Sequence, residues 1–149
     1  MDDPRTQMQT ALKEAMLKKD NERRDVIRMA LSAIKQVEVD ERKALTPDDV
    51  VAVLQREAKT RRESVAEAEK AGRADMAAVE AARLTILESF MPRQLGRDEI
   101  AALARDAIAQ SGATSAKEMG KVMALLMPKV KGVADGKLVN EVVREILSS

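Results

Sequence analysis

The sequence predicts an all-α protein, with an amino-terminal domain of about four helices over residues 1–91 and a small three-helix domain over residues 97–149. Apolar residues recur at three- and four-residue spacing through nearly the whole chain, the mark of helices with one buried face. No segment alternates with a period of two for long enough to make a strand. The 6 glycines and 4 prolines stand mostly between periodic segments, as punctuation.

Asp3-Pro4 reads as a cap followed by proline at the first helical position. The helix that follows should run to about Lys18, with Met8, Leu12, Ala15 and Met16 on one side. Asp20 caps a second helix carrying Val26, Ile27, Ala30, Ile34 and Val37. Thr46-Pro47-Asp48-Asp49 opens a third, because a hydroxyl can accept from the first amides and acids favour the positive end of the helix dipole. Its stripe is Val50, Leu54, Ala58 and Val65, and it should fade before Gly72. A fourth helix begins near Arg73–Asp75, with Met76, Val79, Ile86, Leu87 and Phe90 as its apolar stripe and Arg83 interrupting it.

Met91-Pro92-Arg93-Gln94-Leu95-Gly96 breaks the pattern and marks the domain boundary. Gly96 then caps a helix with Ile100, Leu103, Ala104, Ala107 and Ile108 inward, and Gly112 ends it. Ser115 and Glu118 have capping-box spacing and open the next helix, whose stripe is Met119, Val122, Met123, Leu126 and Val130. Pro128 should shorten or kink its last turn. Gly132 ends it, Asp135 caps the final helix, and Leu138, Val139, Val142, Val143, Ile146 and Leu147 complete the core.

What the composition lacks narrows function further. With 0 Cys and 0 His there is no thiolate, no imidazole base and no zinc set of the usual kind. Phe90 is the only aromatic residue, so base stacking on aromatic platforms is excluded. No glycine-rich nucleotide loop occurs, no cofactor is expected, and no apolar run reaches the roughly 20 residues that span a bilayer. MDDPRTQMQT lacks a charged-then-apolar signal pattern, so a soluble cytoplasmic protein without a membrane partner is expected. Acid pairs such as Asp48/Asp49 and Asp98/Glu99 fit helix first turns as well as they fit magnesium.

The chemistry that remains concentrates near the carboxy terminus. Residues 116–137 hold Lys117, Lys121, Lys129, Lys131 and Lys137 against only Glu118 and Asp135, in a chain of net charge +1. Lys117 and Lys121 fall one helical turn apart, and the other three surround the break at Gly132. Ala116, Gly120 and Ala124 make a smooth strip beside them, where another backbone could come close. Gly132-Val133-Ala134-Asp135-Gly136 precedes a helix N-terminus, whose free amides suit a phosphate. A tight turn beside a solvated lysine face is an equally good reading of the same residues. Two further basic clusters, Lys18-Lys19-Arg23-Arg24-Arg28 and Arg56-Lys59-Arg61-Arg62, are diluted by acids and read as solvated helix faces.

Residues 112–147, GATSAKEMGKVMALLMPKVKGVADGKLVNEVVREIL, resemble the tail domain of the B subunit of the glutamyl/aspartyl-tRNA amidotransferase. The whole chain, including RRDVIRMALSAIK and FMPRQLGRDEI, resembles the stand-alone GatB/YqeY family. The resemblance implies an all-helical protein of translation whose tail contacts tRNA, with the amidotransferase as a further partner and with no counterpart of the catalytic domain. It points to a non-catalytic tRNA-binding accessory protein assisting amidation of Glu-tRNA(Gln) or Asp-tRNA(Asn). Lys117, Lys121, Lys129, Lys131 and Lys137 are the candidate phosphate contacts, and Gly120 and Gly132 would permit close approach. No catalytic or metal residue is assigned. Two alternatives stand beside this: a helical protein-interaction module with no RNA ligand, and an amidotransferase-linked carbon–nitrogen ligase activity using glutamine.

Overall fold

A computed structural model of the chain describes residues 3–148, which hold seven α-helices and no strand. The helices are α1 (Pro4–Leu17), α2 (Asn21–Glu41), α3 (Pro47–Lys70), α4 (Ala74–Glu88), α5 (Arg97–Ser111), α6 (Met119–Val130) and α7 (Gly136–Ser148), with a 3₁₀ turn at Ala116–Glu118 before α6. The chain divides into two compact units, one ending at Pro92 and the other beginning at Arg93.

The amino-terminal unit holds α1–α4. Its starts follow from local chemistry: Asp3, Asp20 and Thr46 each accept a backbone N–H at the head of a helix, and Thr46 and Asp49 exchange bonds as a capping box. Met8, Ile27, Ile34, Val50 and Leu54 are fully buried. A polar clamp ties three segments together. Arg5 Nη1 donates to Glu38 Oε2 at 2.9 Å and Arg5 Nη2 donates to the Leu45 carbonyl at 2.9 Å. The Leu45 N–H in turn donates to Glu38 Oε2 at 3.1 Å. The Leu45 amide, and then Arg5, hold the Glu38 carboxyl below the usual carboxylate range.

Two apolar stripes differ from the expectation. In α1 the buried residues are Met8, Ala11 and Ala15, while Met16 is 51% exposed. In α4 the inward positions are Ala77 and Leu87, with Leu84 packed beside them, and Met76 and Val79 are both 46% exposed. Ala77 is turned inward and the bulkier pair outward, so side-chain size misplaces the face. Arg83 joins Glu80 at 3.0 Å, and Arg61 of α3 binds the other carboxylate oxygen at 3.0 Å. Phe90 lies beyond the end of α4, buried, with the Arg23 guanidinium 5.2 Å from its ring centroid.

In the carboxy-terminal unit α5, α6 and α7 close on a core of Ile100, Val122, Leu126, Val130, Val139 and Val143, all at 0% exposure. Gly96 heads α5, its N–H given to Glu99 at 2.8 Å, and Gly112 ends it with φ +73°. The entry to α6 differs from the expected box. Ser115 makes no capping bond through its side chain. Glu118 instead accepts both the N–H and the hydroxyl of Thr114, each at 3.1 Å, and α6 proper starts one residue later. Arg93–Gly96, left between the two expected domains, is bound within this unit. Leu95 N–H donates to the Val133 carbonyl at 2.7 Å and Gln94 Nε2 to the Gly132 carbonyl at 3.0 Å.

A carboxyl whose folded pKa is depressed stabilises the fold above its unfolded pKa, and that stabilisation is lost as pH falls through the folded value. Glu38→Gln should therefore lower the urea midpoint at neutral pH. The gap to the unchanged protein should close in titrations taken below the ordinary carboxylate range. A gap that persists unchanged in acid would mean that the Glu38 charge does not hold the clamp.

Candidate nucleic-acid interface

Helix α6 is oriented by its buried row. Val122, Leu126 and Val130 lie four residues apart and point inward, so the remaining positions follow at about 100° per residue. Gly120, Ala124 and Pro128 form the outward crest and are exposed. Lys121, Leu125 and Lys129 make a row four residues apart on one flank, all exposed. Met127 lies on the other flank, about 160° around from Leu125. A Cβ on Gly136 would stand 3.9 Å from the Met127 Cε, which places the first turn of α7 and its Lys137 on that second flank. Lys131, the C-cap of α6, lies about 160° around from Lys129 on the same side as Lys137.

The structure thus distributes the predicted lysines. Lys121 and Lys129 share one side of the crest, and Lys131 and Lys137 share the other. Lys117 sits on the 3₁₀ turn, outside α6, so it is not in helical register with Lys121 as the spacing suggested. Lys121 has a carboxylate neighbour, Glu118 at 3.3 Å, on the open surface. Among the described residues Lys117, Lys129, Lys131 and Lys137 have no carboxylate within ion-pair distance. No acid occurs from Met119 to Ala134. The Glu118 carboxyl is held below its usual range, first by the Thr114 amide and hydroxyl and then by Lys121, so it stays ionised.

The glycine loop is arranged for folding. Val133 and Ala134 give their N–H groups to the Val130 carbonyl at 3.0 and 3.1 Å. The Gly132 carbonyl accepts from Gln94, and its φ of +80° makes the turn that ends α6. Asp135 Oδ1 accepts the Lys137 N–H at 3.3 Å, which puts a carboxylate where a phosphate would sit. Gly132 is therefore a turn residue, and the Val133, Ala134 and Lys137 amides are engaged internally. Gly120 is different: a Cβ there would meet nothing within 4 Å, so the fold does not require glycine.

Other charges of this unit are paired, Glu141 and Glu145 following Lys137 at four-residue spacing along α7. Arg97 of α5 bonds Glu145 and stands 3.9 Å from Glu141, both on α7, and Arg93 bonds Glu99 at 2.9 Å. In the amino-terminal unit Arg24 pairs with Asp25 at 2.9 Å, Arg23 covers Phe90 and Arg61 is fixed on Glu80, so the members of those basic clusters with assigned contacts serve the fold. The acids Asp49 and Glu99 are caps, and no group of three potential metal ligands occurs among the described residues. None of their helices is long and apolar enough to cross a membrane. Leu125 is the residue the sequence reading passed over. It is 38% exposed, and its position midway between Lys121 and Lys129 on a helical wheel was the available signal.

A family model described as Yqey-like protein matches residues 5–147. No curated protein matches the chain.

Two glycines should answer oppositely to a methyl group. Gly120→Ala should raise stability by about 0.5 kcal/mol, because alanine is the better helix former and nothing is in its way. Gly112→Ala should lower stability, because φ is +73° there. Urea unfolding of both variants checks the pair, and a destabilising Gly120→Ala would mean that the crest carries an internal contact.

Proposed function

The chain belongs to the YqeY-like protein family, and on that premise we propose that it is a non-catalytic accessory protein that binds tRNA and assists tRNA-dependent amidation. One observation carries the reading. The stretch from Met119 to Ala134 has no acid, and it presents Lys121, Lys129 and Lys131 around an exposed crest of small residues, with Lys137 following. Ammonium groups on a rigid helix hold phosphates as point charges, and the released counterions drive the association. With no exposed aromatic residue, binding reads backbone and shape, not base identity. In this proposal residues 97–149 act as the RNA-holding domain, residues 1–91 form a separate domain, and the work is done in the cytoplasm beside the amidotransferase.

Lys117 extends the patch along the 3₁₀ turn, and Gly120 keeps the crest low. Gly132 contributes only the turn that sets Lys131 and Lys137 apart from Lys129. No side chain is given a catalytic role. Glutamine-dependent amidation by the purified chain alone would establish the ligase alternative.

A second reading draws on Leu125 and Met127, 38% and 37% exposed, which could seat a partner helix along the same crest. It predicts binding of a protein partner that survives high salt and is lost in Ala124→Trp.

The test of the leading proposal is gel retardation of tRNA at low salt. Lys121→Glu combined with Lys131→Glu removes one lysine from each flank and should weaken retardation by about tenfold or more. Both residues are exposed, so the fold should be unchanged by circular dichroism. Undiminished retardation by the double variant sinks the proposal.

A further inference from the structure

The lysines of the carboxy-terminal unit lie on both sides of α6, and that placement says more than their number. Lys121 and Lys129 occupy one flank, about 12 Å apart along the axis, and Lys131 and Lys137 occupy the other. A single strand following one flank would leave the other pair idle. Two phosphate lines running on either side of the crest would engage both pairs. We propose that the ligand of this face is a double-helical RNA arm, with the α6 crest laid across its minor groove and one lysine pair on each strand; this inference rests on the RNA-binding reading above.

The groove of A-form RNA that fits is the minor one, wide and shallow, with 2′-hydroxyls along it, whereas the major groove is too deep and narrow to read. A crest of Gly120, Ala124 and Pro128 rises less than the lysine-bearing flanks, so it can rest on a shallow floor. Single-strand modules need stacking platforms, and the one aromatic residue, Phe90, is buried under Arg23.

The experiment uses the full chain and four probes: a 20-base-pair RNA duplex, one of its strands alone, the DNA duplex of the same sequence, and unfractionated tRNA. Affinities are measured across a salt series. The RNA duplex should bind more tightly than the single strand and the DNA duplex, with a salt slope of about 3 to 4 for four phosphate contacts. Lys121→Glu/Lys129→Glu and Lys131→Glu/Lys137→Glu should each weaken duplex binding by about tenfold or more. Single-strand binding as tight as duplex binding overturns the inference, as does DNA bound equally well or one flank pair without effect. If tRNA is retained but the duplex is not, the groove assignment fails and the tRNA reading stands; if neither is retained, both fail.

Discussion

Helix α6 turns one fully buried row inward, with Met119 and Met123 packed half-buried beside it. Val122, Leu126 and Val130 make that row, and a rotation toward the other flank would bring Lys129 to the core. Full burial of a valine or leucine is worth about 1.5–3 kcal/mol each, and an unpaired buried ammonium would cost more than that. The rotation of α6 is therefore set by its apolar row, and the positions of Lys121, Lys129 and Lys131 follow without any contact of their own. The backbone beneath the cationic face is set by packing, so the lysine side chains are what remains to be ordered when a ligand arrives.

The turn after α6 is fixed just as firmly, from the other side. Gln94 and Leu95 reach the Gly132 and Val133 carbonyls, and Val133 and Ala134 close back on Val130. Leu95 and Val133 also pack against the core of this unit. The loop therefore has little freedom, and Asp135 occupies the α7 terminus with its own carboxylate. A loop so engaged sets where Lys131 and Lys137 lie, and its Val133, Ala134 and Lys137 amides already have partners.

Much of this was legible in the residues. Helix starts with side-chain acceptors at Asp3, Asp20 and Thr46 are local chemistry, and the left-handed turn at Gly112 is too. The inward row of α6 was legible because Val122, Leu126 and Val130 are its only strictly four-spaced branched residues. The failures share a cause. Met76 and Val79 look like core on hydrophobicity, yet α4 presents Ala77 to its neighbour, since close helix packing rewards small side chains and local sequence does not report the distance between helices. Ser115 and Glu118 have box spacing, but Thr114 offers both an amide and a hydroxyl to the same carboxylate. Spacing along the chain puts Lys117 one turn from Lys121, and it does not report the 3₁₀ turn at Ala116–Glu118 that leaves Lys117 outside α6.

The division of charge within the carboxy-terminal unit gives the proposed interface its character. Arg97 with Glu141 and Glu145, and Arg93 with Glu99, neutralise the α5–α7 side, whereas α6 has no acid of its own. Exposed charges more than about 10 Å apart are screened at 0.1 M salt, so the field of the α6 face is felt only by a ligand nearly in contact. With a net charge of +1 the whole chain adds almost no long-range attraction. Association should then depend on fit between a rigid crest and a rigid polyanion, and it should be reversible, since a handful of phosphate contacts gives modest affinity. A flexible basic tail of the same charge would bind any polyanion it met. Under the proposal, lysines anchored on two sides of the α6 crest would favour a ligand whose two phosphate lines match their separation.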